Sequence, residues 1–145
     1  MILYLTRTYL FLCFILALSA RGFASETDSL EQLLAEAHDI ERKIELQTLL
    51  VKQYRLTDIQ EAKSLAKRTL YLSLTSETDK YLGEIHGLLG DIAVMEDSMD
   101  LARHYYEIAF EAFSKQNDIK GATGVAIVLG NIAYVRDDLA TAMQF

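Results

Sequence analysis

The chain predicts an all-α fold, a solenoid of antiparallel helical hairpins, on three observations. First, residues return every 40 positions: Leu49, Leu89 and Leu129, then Ala62, Ala102 and Ala142, with Ile59, Met99 and Leu139 between them. A fixed period of this length marks stacked helical units that share a core. Second, there is no proline and only 7 glycines in 145 residues, so little interrupts a helix. Third, apolar residues recur at helical spacing between short polar separators.

The N-terminus reads as an export signal over residues 1–24. Arg7 supplies a positive region, Tyr9 to Ala20 is a mostly apolar run, and Gly22-Phe23-Ala24 offers small residues for cleavage after Ala24. The run falls short of the roughly 20 apolar residues that span a bilayer. An uncleaved membrane anchor, extended through Met1 to Leu5, is the alternative. Cys13 lies inside the run, so removal of the signal leaves no cysteine for a disulfide or a thiolate metal site.

Residues 25–39 form a linker and an N-terminal capping helix, in which Ser29 and Gln32 read as a capping box opening a helix through about Ala37. The array itself covers 40–145, in units of about 40–78, 79–118 and 119–145, the last incomplete. In the first unit Ile40 to about Tyr54 is one helix, and Thr57 with Gln60 opens another from about Asp58 to Leu74. The second pairs about Lys80–Met95 with about Ser98–Ser114 across a turn at Glu96-Asp97. After Gln116-Asn117-Asp118, Ile119 to Val135 begins the third, with a turn at Arg136-Asp137-Asp138. The last helix holds only Leu139 to Phe145, leaving Leu139, Ala142, Met143 and Phe145 without a partner. A solenoid needs a polar cap at each end, so the chain is expected to be the front part of a longer protein, or to self-associate through this end.

Charge excludes some functions. With 21 acidic residues against 14 basic the net charge is −7, and loss of Arg7 and Arg21 with the signal makes it −9. Phosphate backbones and anionic lipids are bound by clustered Lys and Arg, so no nucleic-acid partner is expected. Membrane contact is expected only through an uncleaved signal or a further C-terminal region.

Catalytic and metal chemistry are weakly signalled. His38, His86 and His104 are dispersed, without the spacing of a zinc or nucleophile site. Asp97 with Asp100, and Asp137 with Asp138, stand where acids favour a helix start. Gly87-Leu88-Leu89-Gly90 and Gly121-Ala122-Thr123-Gly124 lack the lysine of a phosphate loop. Tyr105-Tyr106 and Phe110 to Phe113 form an aromatic stripe suited to core packing. No catalytic residue, metal or cofactor is expected.

Leu89-Gly90-Asp91-Ile92-Ala93 followed by Ala102, Tyr106 and Ala109, and Leu129-Gly130-Asn131-Ile132-Ala133-Tyr134 followed by Ala142, resemble the tetratricopeptide repeat. The first unit is in register at Leu49 and Ala62, but Leu50 replaces the glycine, Ala66 the aromatic residue and Thr69 the second alanine. The period exceeds the usual length of about 34 and the closing proline is missing, as in a long-period variant found in bacterial signalling proteins. HEAT and armadillo arrays run at about 40–47, but the leucine-glycine and alanine spacing disfavours them. Gly90 and Gly130 cost about 1 kcal/mol each in a helix, which suggests close backbone approach, and Ala102 and Ala142 sit where the facing helix would cross.

The resemblance implies a concave groove lined by the first helix of each hairpin. Its residues would be Ile44, Gln47, Val51 and Tyr54, then Glu84, Gly87, Asp91 and Val94, then Gly124, Ile127, Asn131 and Tyr134. Asn131 stands where the family often bonds a peptide backbone. The places of a carboxylate clamp hold Gln47, Gly87 and Ile127, which cannot form one. Tyr54 and Tyr134 could equally cover neighbouring helices. The expected function is therefore that of an exported, periplasmic or extracellular, non-catalytic module binding a protein or peptide. The alternative is the extracytoplasmic input region of a sensor histidine kinase or a nucleotide or diguanylate cyclase, anchored in the membrane and facing the periplasm.

Overall fold

The computed structural model describes residues 26–135, and every regular element among them is an α-helix. Residues 26–36 form α1. It is followed by α2 (Ile40–Thr57), α3 (Ile59–Thr75), α4 (Leu82–Met95), α5 (Met99–Lys115) and α6 (Ile119–Val135). The expected signal at 1–24, the turn at Arg136-Asp137-Asp138 and the packing residue Ala142 lie outside the described residues.

Local chemistry sets the helix ends. Asp39 caps α2 by accepting the Arg42 N–H at 2.8 Å, while Glu41 in the first turn and Arg55 in the last complement the helix dipole. The residue that caps α3 is Asp58, in place of the expected Thr57: its carboxylate accepts from the N–H groups of Gln60 and Glu61. Asp58 also closes α2, its own N–H donating to the Tyr54 carbonyl. With one residue serving both helices, α2 runs on to Thr57, three residues past the expected end.

The other turns are built differently. At the ends of α3, α4 and α5, Glu77, Asp97 and Asn117 take positive φ of 54°, 57° and 57°. Each N–H donates three residues back, and that of the following residue donates five back: Thr78 to Ser73, Ser98 to Ala93, Asp118 to Phe113. This is the Schellman arrangement, which consumes carbonyls that a helix end leaves unpaired. It recurs at intervals of 20 residues.

Consecutive helices run antiparallel. A Cβ on Gly83 near the start of α4 would meet the Phe113 ring near the end of α5, and one on Gly90 the Tyr106 ring. Lys63, early in α3, reaches Glu96 at the end of α4. Each of α2 to α6 packs on its chain neighbours, and α4 also touches α2 and α6. One core cluster joins Ile44, Val51, Ala62, Leu65, Ile85 and Ile92 across α2, α3 and α4, with Leu30 and Leu34 of α1 packed against it. A second joins Ala93, Ala102, Tyr106, Ala109, Val125 and Leu129 across α4, α5 and α6. Full burial of each large aliphatic contributes about 1.5–3 kcal/mol. Thr48 and Thr69 enter the interior by donating to the carbonyls of Ile44 and Leu65, which removes the cost of an unpaired hydroxyl.

Ala62 and Ala102 are both 0 % exposed, and Leu89 and Leu129 are each 2 %. Leu49, expected in the same packing row, is 36 % exposed. Ile44, Thr48 and Val51 are the buried counterparts of Ile85, Leu89 and Ile92, an offset of 41 residues. The single-residue turn at Asp58 leaves α2 one residue out of the expected phase. One residue of phase rotates a helical side chain by about 100°, enough to carry Leu49 out of the core.

Candidate ligand cleft

The side of the molecule where α2, α4 and α6 follow one another carries both polar cross-links and an open cleft. Glu41 pairs with Lys80 at 2.5 Å, Lys52 with Glu84, and Arg55 with Asp91. These partly exposed pairs contribute about 0–1 kcal/mol each. Their larger effect is positional, since they fill the α2–α4 side of this face with matched charge. Asp91 also accepts the Tyr106 hydroxyl at 2.7 Å, and burial pushes the Tyr106 phenol above its ordinary pKa.

Between α4 and α6 the face opens into a cavity of about 570 Å³. Tyr106 and Phe113 of α5 line it together with Val125 and Val128 of α6, while Gly87 and Gly124 line it from α4 and α6. Charged groups at its edges are Lys80, Glu84, Asp91, Asp118 and Lys120. Asp118 accepts the Gly121 N–H at 2.9 Å and so caps α6. The volume lies in the range of ordinary ligand pockets, about 300–1,000 Å³.

Of the groove residues implied by the resemblance, Glu84, Gly87, Asp91 and Gly124 border this cavity. Others do not. Ile44 and Val51 are 0 % and 1 % exposed and belong to the core, which corrects their placement. Gln47 is turned to α3, where its side-chain amide lies 3.2 Å from the Thr69 hydroxyl oxygen. Tyr54 donates to Glu31 of α1, and that carboxylate pushes its phenol up to about 12. Ile127 lines a different cavity of about 400 Å³ with Phe110, Ile119 and Ala126, so it too leaves the predicted row. Val94 packs against the second core cluster. Asn131 and Tyr134 are exposed on α6.

The residues that do meet α4 from α2, Lys52 and Arg55, were missed by sequence reasoning. Their spacing of three on one helix was a usable signal, hidden by the assumption of a constant phase. The Tyr106 hydroxyl at the cleft was likewise read only as packing.

The histidines lie elsewhere. His86 and His104 flank Tyr105, with ring centroids 6.0 and 6.1 Å away. Burial, with a smaller contribution from His104, holds His86 below the usual histidine pKa. Among the described residues no group of three or more His, Cys, Asp or Glu side chains is placed to hold a metal ion. No described helix is long and apolar enough to cross a membrane. No family model, curated protein or solved structure matches the chain.

Proposed function

We propose that the chain is a non-catalytic interaction module of the tetratricopeptide-repeat kind, a solenoid of helical hairpins that holds a peptide or protein segment in the cleft between α4 and α6. The observation that carries this reading is the contrast among its helical glycines. A Cβ on Gly83, Gly90 or Gly121 would strike the ring of Phe113 or Tyr106, so packing explains those three. Gly87 and Gly124 have nothing within 4 Å of that position, and both line the cleft. Each costs its helix about 1 kcal/mol relative to alanine. A smooth, side-chain-free wall on both sides offsets that cost if another backbone must come close.

Antiparallel succession, contacts limited to near neighbours and the recurring turn support the solenoid. The export of the chain rests on the apolar run at Tyr9 to Ala20, and fusion of residues 1–24 to a reporter active only outside the cytoplasm tests it. For the cleft, peptides selected from a random display library on the full chain should lose binding to Gly124→Trp. Gly87→Ala and Gly124→Ala should raise the melting temperature, by about 0.5–1 kcal/mol of stability each. Selected peptides that bind Gly124→Trp as tightly as the natural chain would remove the cleft from consideration.

A further inference from the structure

We infer that Lys120 selects the ligand's chemistry: the cleft takes a peptide that presents a large apolar side chain and, within a few residues of it, an acidic one. The inference rests on the proposed cleft and adds the class of peptide. Charge matching around the cavity carries it. Glu84 is held by Lys52, Asp91 by Arg55 and Tyr106, Asp118 by the Gly121 N–H, and Lys80 by Glu41. Among the described residues bordering the cavity, Lys120 is the charged side chain with no ion pair or hydrogen bond. It is exposed, so the fold neither buries it nor uses it. It also stands in the first turn of α6, where the helix dipole disfavours a cation.

The surface below it defines the rest of the ligand. Tyr106, Phe113, Val125 and Val128 offer an apolar floor, which an aliphatic or aromatic side chain would dry. Of the edge carboxylates, Glu84 and Asp91 carry cationic partners and Asp118 is turned to the start of α6 that it caps, where the helix dipole favours its charge, so a basic peptide meets only Asp118, already engaged as a cap. An acidic one finds Lys120. The asymmetry runs against the net charge of −7, and it therefore marks a local property of the cleft.

The test uses the full chain and fluorescently labelled seven-residue peptides with a central Leu or Phe. Each carries Asp or Glu, or its isostere Asn or Gln, two or three positions away. Fluorescence polarisation should show the acidic member of each pair binding about five-fold tighter, the order of one partly exposed ion pair. Lys120→Gln should erase the difference, and Lys120→Glu should invert it, with both variants melting no lower than the natural chain. An acidic preference that survives Lys120→Gln would overturn the assignment. Equal binding of both members, still abolished by Gly124→Trp, would sink the inference while leaving the cleft intact. Absence of any Gly124→Trp-sensitive peptide would instead remove the cleft, and the inference with it. Binding of 4-phenylbutyrate as tight as the best acidic peptide would replace the peptide with a small amphipathic acid and so overturn the ligand class.

Discussion

The first hairpin, α2 with α3, and the second, α4 with α5, fill the space between their helices with bulk from different helices. In the second, Gly90 on α4 leaves room for the ring of Tyr106 on α5. In the first, Ala66 of α3 stands where Tyr106 does, and the bulk lies instead on α2 in the buried Leu50, one residue out of phase with Gly90 and in the same cluster as Ala66. The bulk has changed helix. Two helices need a filled gap between them and are indifferent to which one fills it, yet the choice has a chemical consequence. Only the tyrosine brings a hydroxyl, and that hydroxyl reaches Asp91 at the cleft. The hairpin without a polar tip is the one sealed on its outer side by α1, through Leu30, Leu34 and the Tyr54–Glu31 bond.

The most forceful way to break the comparison is Gly90→Leu, which drives a side chain into a ring already 2.7 Å from the first added carbon. It should cost about 3 kcal/mol in urea denaturation. Adding Tyr106→Ala, which imports the first hairpin's arrangement, should restore at least about 1 kcal/mol of that. A double variant as unstable as the sum of its parts would show that the two hairpins do not use interchangeable packing. Next in size is the turn. Asp58→Ala removes the cap of α3 and should lower stability by about 1 kcal/mol, whereas Glu77→Gly and Asp97→Gly, at positive φ, should raise it by about 0.5 kcal/mol. Opposite signs at the two kinds of turn, read from melting temperatures, would sharpen the distinction between them. Tyr106→Phe keeps the ring and deletes the bond to Asp91; a loss of about 0.5–1 kcal/mol is expected.

The smallest effect is acid sensitivity. His86 is held below its ordinary value of 6.5 by burial, so the unfolded chain binds its proton more readily than the folded one. Its contribution to stability is complete above pH 6.5 and is lost as the pH falls from there towards the lowered folded value. Glu96, held below 4.5 chiefly by its hydrogen bonds to Lys63, contributes above 4.5 and is lost further down. Denaturation midpoints should therefore decline in two stages on acidification. His86→Leu should remove the upper stage alone.

Helix bounds were the most legible part of the molecule. Helix α6 opens at the expected Ile119, and the turns at Glu96-Asp97 and Gln116-Asp118 lie where polar residues interrupt the apolar pattern. The all-helical class follows from that pattern and the missing proline. Side-chain direction on α2 was much less legible. Its apolar residues go nearly all the way round, because it is covered by α1 on one side and by α3 and α4 on others, so periodicity gives it no single face. Phase borrowed from α4 then misplaced Gln47, Val51 and Ile44. Of the residues around the cleft, Glu84, Gly87, Asp91 and Gly124 are among those the resemblance implies for a groove. The ion pairs were not, since sequence places a lysine on a helix without saying which acid, some 30 residues away, it will meet.

Helix α4 touches α2, α3, α5 and α6, and seven of its fourteen residues are buried. Among α2 to α6 no pair beyond second neighbours comes together, so chain closure there spans only short stretches and assembly should be quick, in the manner of proteins with low contact order. Openings that start at either end must travel inward before they disturb the middle. Amide deuteration would then follow a gradient, with the backbone of Ile85 to Ala93 the last to surrender its protons, and a molecule gripped between α4 and α6 would be held on its slowest-breathing wall.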